Sequence, residues 1–333
     1  MNRRTMIKQS GLAATALALP FSLSALKVFN PMTDSKNLDV IIIGGSYAGL
    51  SAAMALGRAL RKVLIIDSGK PCNQQTPHSH NFITQDGEKP AVIAAKAKEQ
   101  VLQYGTVKFH QDLVVSAVKI DQGFVVTTQS GEEFNTRKLI FATGIKDEMP
   151  NINGFADCWG ISIIHCPYCH GYEVKNTKTG ILANGDKAMH YAQLISNWTK
   201  DLTIFTNGKA EFSEEQLNKL KKHNISVIEK QIDEIRHEKG QLKALLFTDN
   251  STQNLVAIYS SPKTTQHSDI PEKLGCTINE MGLLEVNMFQ KTTQEGVYAC
   301  GDNSSPLRAV SYAVATGTIA GASCNNDLIE EDF

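Results

Sequence analysis

The chain has no surplus of charge of either sign. Its 333 residues include 33 Lys and Arg against 34 Asp and Glu, a formal net charge of −1. Proteins that bind nucleic acid present a basic surface to the phosphates, so this balance gives no electrostatic reason to expect a nucleic-acid partner. A small molecule or another protein is the expected partner.

Cysteine is too scarce and too scattered for a scaffold held together by disulfide bonds. Such scaffolds are short and dense in cysteine, whereas seven cysteines are spread over this chain. Cys166 and Cys169 form the one pair with a chemically meaningful spacing. Two intervening residues permit a small disulfide ring and let one sulfur stabilise the negative charge of the other.

The N-terminal segment lacks an apolar run long enough to span a bilayer. The run from Gly11 to Leu19 is too short for a transmembrane helix, and it follows Arg3-Arg4, so that the segment resembles a twin-arginine export signal. We expect residues 1–37 to be a leader and polar linker, and the exported protein to be periplasmic without stable membrane insertion after processing. The alternative is that translation starts at Met32 and that the protein is cytoplasmic.

From Leu38 onward the chain contains a nucleotide-binding pattern. The apolar strand Leu38 to Ile43 runs into Gly44-Gly45-Ser46-Tyr47-Ala48-Gly49, a helical pattern covers Leu50 to Leu60, and the strand Lys62 to Ile66 ends at Asp67. Such a turn lets the backbone approach a pyrophosphate, the helix N-terminus offers free N–H groups, and the terminal acid binds ribose hydroxyls. Ser46 replaces the usual second glycine but is small. The ordered pattern predicts dinucleotide binding, where a lone glycine turn would indicate only packing.

Two later segments complete this pattern. The strand Lys138 to Phe141 leads into Ala142-Thr143-Gly144, and Gly301-Asp302 leads through Arg308 and Ala309 to a helical pattern at Ala313 to Ala322. Here the chain resembles the low-molecular-weight thioredoxin reductases over nearly all of its length from Leu38. The resemblance implies that the cofactor is FAD and that Asp302 contacts its ribityl and pyrophosphate region. The alternative role of Asp302 is a helix cap.

The dithiol Cys166-Pro167-Tyr168-Cys169 has three interpretations. The first is a redox-active disulfide, in which the resemblance implies that Cys169 faces the flavin and that Cys166 exchanges with the external partner. The second is covalent haem attachment, because His170 completes a matching pattern, although the flanking nucleotide folds argue against it. The third is structural zinc with His165 or His170, which lacks an obvious fourth ligand.

His170 departs from the thioredoxin reductase pattern, which usually has an aspartate acting as proton donor at this place. A histidine titrates nearer neutrality and can hold or give the proton at working pH. Its other possible role is that of a packed, hydrogen-bonded ring. The string His165 to Glu173 also resembles the fungal dithiol oxidases of the gliotoxin oxidase type, which share the fold and pass electrons from a substrate dithiol to flavin and oxygen.

The loop from Cys72 to Gly87 lies where related flavoproteins approach the isoalloxazine ring. We expect His80 to line that pocket. A metal site formed by Cys72, His78 and His80 is an open alternative.

The second nucleotide-binding pattern has lost part of its chemistry. A strand at Gly180 to Leu182 leads into Ala183-Asn184-Gly185-Asp186, and a helix to Trp198 is followed by a strand that ends at Thr206-Asn207-Gly208. Neither an acid that selects NAD nor an arginine that binds a 2′-phosphate follows that strand. We therefore expect weak or absent NAD(P)H binding. The alternative keeps weak binding through Gly185 and the helix N-terminus.

These patterns predict an α/β protein with two Rossmann-like dinucleotide-binding domains. The FAD domain is expected to be discontinuous, residues 38–153 and 263–333, with an NAD(P)-like domain inserted at 154–262. The expected activity is FAD-dependent oxidation of a dithiol, in a thioredoxin-like protein or a small molecule, with electrons passing to oxygen or another acceptor. The alternatives are an NAD(P)H-dependent disulfide reductase and a flavin redox sensor without turnover. The resemblance also implies a homodimer.

Overall fold

The computed structural model describes residues 38–333, so the expected leader and linker, residues 1–37, lie outside the described residues. Within the described range the strands and helices alternate in the order typical of nucleotide-binding folds. The elements are β1 (Leu38–Ile43), α1 (Tyr47–Arg58), β2 (Val63–Asp67), α2 (Pro90–Leu102), β3 (Val107–Gln111), β4 (Val114–Ile120), β5 (Gly123–Thr128), β6 (Glu133–Phe141), β7 (Ile145–Glu148), α3 (Phe155–Cys158), β8 (Ile163–Ile164), α4 (Pro167–His170), β9 (Thr179–Leu182), α5 (Gly185–Ile195), β10 (Leu202–Phe205), α6 (Glu214–Lys222), β11 (Ser226–Ile228), β12 (Ile232–Glu238), β13 (Gln241–Phe247), β14 (Thr252–Asn254), β15 (Ala257–Ser260), β16 (Lys263–Gln266), α7 (Ile270–Lys273), β17 (Val297–Ala299) and α8 (Val310–Asp332).

The larger sheet has seven strands in the order β3-β2-β1-β6-β5-β4, and β17 also pairs with β6. Strands β1, β2, β3, β6 and β17 are parallel to one another. Their apolar side chains are buried on both faces: one face packs against helices α1, α2 and α8, and the other packs against residues of β4, β5 and the segment around α7. The strand order reverses between β1 and β6, and a crevice for a ligand opens at the carboxyl ends of strands at such a point.

The strands β4, β5 and β6 form an antiparallel extension of the large sheet. Strands β4 and β5 pair antiparallel, and β5 pairs antiparallel with β6. Strand β6 is nine residues long, and its C-terminal part pairs with β1. The hairpin is therefore continuous with the large sheet.

The second parallel sheet has five strands in the order β11-β10-β9-β15-β8. Its strands run from residue 163 to residue 260, and the antiparallel strands β12, β13 and β14 form a further sheet. The antiparallel pair β7 and β16 lies in the two chain segments that lead into and out of this region. The fold class, with two Rossmann-like parts, is confirmed, while the domain boundaries stay a prediction.

Helices α1 and α8 pack closely although they are distant in sequence. A Cβ at Gly317 would lie 2.1 Å from the carbonyl oxygen of Ala48, and one at Gly321 would lie 2.6 Å from that of Ala52. Real Cβ atoms do not approach so closely, so glycine is required at both positions. Helix α8 thereby supports the helix that follows the first glycine turn.

The predicted element boundaries are correct to within a few residues in the parallel sheets. The predicted helix to Trp198 instead ends at Ile195. The C-terminal helix is much longer than the predicted stretch Ala313 to Ala322. None of the helices between residues 38 and 333 is both long and apolar enough to cross a membrane.

Candidate active site

A cavity of about 870 Å³ joins the carboxyl ends of the large sheet to the dithiol. Its walls include Asp67 after β2, the turn after β1, and both Cys166 and Cys169. Clefts and cavities of this size are typical of cofactor and ligand sites. The fold therefore brings the first nucleotide pattern and the Cys-x-x-Cys motif to one site.

The turn after β1 comes close to the neighbouring strands. Gly44 has φ +107°, and a Cβ there would lie 2.2 Å from the carbonyl oxygen of Ala142. A Cβ at Gly45 would lie 2.7 Å from the ring of Phe109 and 2.9 Å from the Cβ of Asp67. Only a residue without a side chain fits at these two places, so a ligand in the cavity can approach the backbone.

The N-terminus of α1 opens into the same cavity. Ser46 is the N-cap residue, but its side chain makes no capping hydrogen bond. Gly45, Ser46, Tyr47 and Ala48 all line the cavity. Free N–H groups and the helix dipole make such an end suitable for a pyrophosphate.

Asp67 occupies the position expected for a ribose-binding acid. One of its carboxylate oxygens accepts a hydrogen bond from the N–H of Gly45 at 2.6 Å, and the other accepts one from Gly69 at 2.7 Å. A carboxylate has about four acceptor positions. The two backbone bonds therefore fix Asp67 and leave acceptor capacity for ligand hydroxyls.

Asp302 and Arg308 form a buried charged group at the cavity wall. Arg308 makes two hydrogen bonds to Asp147, at 2.6 and 3.0 Å, and its Nε lies 3.5 Å from Asp302. Burial raises the pKa of Asp302, and the charge of Arg308 opposes that shift. Because the next helix begins only at Val310, with Ala309 as its N-cap residue, the helix-cap role of Asp302 is wrong.

The dithiol lies at the start of the short helix α4. The Sγ atoms of Cys166 and Cys169 are 2.6 Å apart, and both cysteines are free. A hydrogen bond from Cys169 is the largest of the influences that lower the pKa of Cys166 to about 7, and burial opposes it. The same pairing raises the pKa of Cys169, and burial adds to this effect. These opposite shifts favour Cys166 as the thiolate of the pair and Cys169 as its hydrogen-bond donor.

Burial lowers the pKa of both histidines beside the dithiol. Burial, followed by the positive charge of Arg308, lowers the pKa of His165 to about 4. Burial also lowers the pKa of His170, whose Nε2 is buried without a hydrogen-bond partner among residues 38–333. An unpaired buried nitrogen is unfavourable in a closed protein, and at a cavity wall it indicates a place where a ligand supplies the partner.

Nearly all of the site residues predicted from the sequence line the cavity. Its lining includes Gly44, Gly45, Ser46, Ala48, Asp67, Ala142, Thr143, Gly144, Cys166, Cys169, His170, Gly301, Asp302, Arg308 and Ala309. Gly49 is the exception among the selected residues. It lies in the first turn of α1, where a Cβ would lie 1.9 Å from the carbonyl oxygen of Gly44, so its place is in the packing of the turn.

Sequence reasoning missed Asp147, which holds Arg308 in place. It also missed Trp159 and His267, which line the cavity. His80 lines the cavity as expected. No local signal marks Asp147, because its partner lies 161 residues further along the chain.

The metal alternatives find no matching set of ligands in the described part of the chain. One group of three metal-ligating residues there has its ligand atoms within 4.8 Å of one another, and it consists of His110, Asp112 and Glu132. The set of Cys166, Cys169 and a histidine does not form such a group among the described residues, and the set of Cys72, His78 and His80 does not form one either.

The residues of the cavity fit FAD. The close-packed glycine turn and the uncapped helix end suit a pyrophosphate, and the fixed carboxylate of Asp67 suits a ribose. The unpaired nitrogen of His170 suits a polar ring system. Gly44 to Ala48 and Asp67 would hold the adenosine diphosphate part, and Asp302 the ribityl side. The dithiol and His170 would then lie beside the flavin.

In the second nucleotide region, the N-cap residue of α5 is hydrogen-bonded to the loop after β10. Asn184, the N-cap residue of α5, accepts hydrogen bonds from the N–H groups of Gly185 and Glu211, both at 2.9 Å, and donates to the carbonyl of Lys209 at 2.9 Å. The carboxylate of Glu211 lies 3.9 Å from the position of a Cβ on Gly185. The loop after β10 is thus held against the end of the helix.

Comparison with known proteins gives a consistent family. The model for pyridine nucleotide-disulphide oxidoreductases matches residues 38–317. The chain is 33% identical to the thioredoxin reductase sirT of Leptosphaeria maculans, over 89% of this chain and 95% of that protein. It is 32% identical to the thioredoxin reductase tcpT of Claviceps purpurea, over 90% and 97%. The crystal structure of an oxidoreductase from Agrobacterium tumefaciens is 36% identical and superposes with a TM-score of 0.83, covering 88% of this chain and 99% of that one.

Proposed function

The chain belongs to the pyridine nucleotide-disulphide oxidoreductase family, as an FAD-dependent enzyme acting on sulfur groups, and from this premise we propose that it is a dithiol oxidase. In this function a substrate dithiol is oxidised to a disulfide, and the electron pair passes to oxygen. The observation that carries the proposal is the contrast between the two nucleotide regions. The dithiol opens into a large cavity, whereas the end of α5 is closed by the loop after β10.

The closure affects the place where a nicotinamide dinucleotide binds in a Rossmann fold. A pyrophosphate there accepts hydrogen bonds from N–H groups at the helix N-terminus. The N–H of Gly185 already donates to Asn184, and the carboxylate of Glu211 lies nearby. A second negative charge would raise the energy of a bound pyrophosphate.

The end of β10 adds a second argument against strong nicotinamide binding. The side chain of Thr206 donates to the carbonyl of Gly208 at 2.6 Å, and that of Asn207 accepts from the N–H of Ile232 at 2.7 Å. Both polar groups are therefore used within the protein. Neither supplies the carboxylate that binds a ribose or the guanidinium that binds a 2′-phosphate.

Asp186, which follows Gly185 at the start of α5, adds little to the negative charge near that helix end. Its carboxylate accepts a hydrogen bond from Gln216 on α6 at 2.7 Å. The charge is thereby directed towards α6. The closure rests on Asn184 and Glu211 instead.

The oxidation itself is thiol–disulfide exchange at Cys166. A substrate thiolate attacks Cys166 Sγ of the oxidised enzyme, the Cys166–Cys169 bond breaks, and Cys169 leaves as a thiolate and takes up a proton. The second substrate thiol then attacks the mixed disulfide, the substrate disulfide forms, and Cys166 leaves as a thiolate. A pKa of about 7 makes Cys166 a good leaving group.

His170 lies beside the dithiol, where it can accept and donate the protons of this exchange. Its pKa lies below the ordinary value because of burial, so the ring is neutral at neutral pH and can accept a proton from a thiol. FAD, when bound, supplies the two-electron acceptor that restores the disulfide and reduces oxygen to hydrogen peroxide. One substrate dithiol and one oxygen molecule thus give one disulfide and one peroxide.

A second candidate is an NAD(P)H-dependent disulfide reductase. It is favoured by the names of the relatives, which are called thioredoxin reductases, and by the retained glycine of the second turn, Gly185, with φ +55°. A third candidate, a flavin redox sensor, requires a reduced flavin that reoxidises slowly.

Anaerobic stopped-flow absorbance of the FAD-loaded protein separates these functions. The protein is mixed separately with dithiothreitol, NADPH and NADH at equal concentrations, and air is then admitted. We expect the dithiol, but neither nicotinamide, to remove the visible flavin absorbance, and air to restore it rapidly. Rapid loss of absorbance with NADPH or NADH would refute the oxidase, and slow recovery in air would favour the sensor.

A matched control identifies the route of the electrons. Cys169→Ser should abolish reduction by the dithiol, because no enzyme disulfide can form. The same variant, reduced with dithionite, should still recover in air, because the oxygen reaction does not use the dithiol. Loss of both reactions would indicate damage to the FAD site instead.

We further propose that the leader directs export to the periplasm and that two copies associate as a homodimer. N-terminal sequencing of the periplasmic protein and light scattering test these two statements. An intact N-terminus in the cytoplasm, or a monomeric mass, would contradict them.

A further inference from the structure

His170 is enclosed by a loop from a distant part of the chain. The loop from His78 to Glu88 closes on itself, since the N–H of Ser79 donates to the carbonyl of Glu88 at 2.8 Å and that of Gly87 donates to Ser79 at 2.8 Å. The ring of His78 bonds to the carbonyl of Gly87 at 2.9 Å. The loop is therefore a fixed wall of the site.

His80 projects from this wall towards the segment that carries the dithiol. Its ring is perpendicular to the ring of His170, with the centroids 6.2 Å apart. Its Nε2 lies 3.5 Å from the carboxylate of Glu173, and its Nδ1 lies 3.6 Å from that of Asp86. The side chain of His80 is 20% exposed, so a charge on this ring is only partly screened by water.

The groups around His170 act on it in opposite senses. Burial lowers its pKa, a hydrogen bond with the backbone of His78 raises it, the charge of His80 lowers it, and the carboxylate of Glu173 raises it. From its own segment the dithiol is the other titrating neighbour. From the opposite loop, Asp86 faces His80.

We propose that His80 and Glu173 are positioning residues which set the protonation state of His170 from opposite directions. This deepens the proposed function, because an oxidase needs a base free to receive thiol protons, whereas the aspartate usual in the reductases acts as a donor. A protonated His80 keeps a proton off His170 by repulsion, and Glu173, whose carboxylate lies 3.5 Å from Nε2 of His80, limits that effect. Burial has the largest influence on the pKa of His170, and His80 and Glu173 adjust in opposite directions the pH at which His170 becomes a base.

The test is an NMR pH titration of isotope-labelled histidine rings in the full-length, FAD-loaded protein. The His170 signal is assigned by its loss in His170→Gln. His80→Gln should move the His170 midpoint upwards by about half a pH unit or more, for charges some 6 Å apart. Glu173→Gln should move it downwards. His223→Gln, a change at an exposed site outside the cavity, should leave the midpoint unchanged.

Retained visible flavin absorbance shows that each variant still holds the site. His80→Lys provides a second check, since a cation at this place should keep the midpoint low even though the imidazole is gone. Equal midpoints in all variants, or shifts of the same sign in His80→Gln and Glu173→Gln, would overturn the proposal. The titration needs neither substrate nor oxygen, so its result is separate from the stopped-flow test of the oxidase.

Discussion

Removing the thiol of Cys169 should change the reactivity of Cys166 in opposite directions at low and high pH. The hydrogen bond from Cys169 is the largest influence that lowers the pKa of Cys166 from 9.0 to about 7. In Cys169→Ala that bond is gone, and burial of Cys166 remains, so we expect the pKa to return to about 9 or above.

The size of the effect follows from two opposing terms. At pH 7 about half of the wild-type Cys166 is thiolate, against about one part in a hundred in the variant. A thiolate of higher pKa is the better nucleophile, by a factor of about 8 for two pKa units with a Brønsted coefficient near 0.45. The variant should therefore react about sixfold more slowly at pH 7 and up to about eightfold faster well above pH 9.

The assay is the anaerobic reaction of the reduced, FAD-loaded protein with a chromogenic disulfide such as dithiodipyridine. Both proteins carry Cys72→Ser, so that an exposed thiol outside the dithiol does not react with the reagent. The remaining four cysteines of the described residues are buried. Two pH profiles that cross between pH 7 and pH 10 are expected. Parallel profiles, or a wild-type midpoint near 9, would refute the account of the dithiol.

Two further substitutions test the framework of the site. Gly49→Ala places a Cβ 1.9 Å from the carbonyl oxygen of Gly44, so the turn must move. FAD retention, measured as the ratio of visible to ultraviolet absorbance, should therefore fall strongly. Gly105→Ala, with nothing within 4 Å of its Cβ, is the control that should retain FAD, and equal retention in the two variants would contradict the packing argument. Asp147→Ala leaves Arg308 buried with only its longer contact to Asp302, and should lower the free energy of unfolding by about 3 kcal/mol. The double variant Asp147→Ala/Arg308→Leu should recover much of this loss. Additive losses would show that the two residues do not act as a pair.

The first nucleotide site is predictable from sequence because its signals are local. The apolar run before Gly44, the glycine turn and the acid at Asp67 occur within thirty residues, and each reflects a backbone requirement of the same strand–turn–helix unit. The dithiol is equally local. The sequence therefore indicates most of the residues that line the cavity.

The remaining features depend on contacts between distant segments. The pairing of Asp147 with Arg308 and the approach of His80 to Glu173 join residues far apart in the chain. The length of α8 also has a tertiary cause, since its polar end is held by ion pairs such as that of Arg137 with Glu331. Periodicity in a window of the sequence cannot report such partners.

The packing of α8 against α1 has a consequence for the order in which the protein is made. Gly317 and Gly321 pack against α1, although they lie about 270 residues further along the chain. Strand β17, which pairs with β6, also lies late in the sequence. Until α8 and β17 have left the ribosome, the helix that would receive the pyrophosphate lacks this support. Stable cofactor binding is therefore expected only after residue 321 has been synthesised.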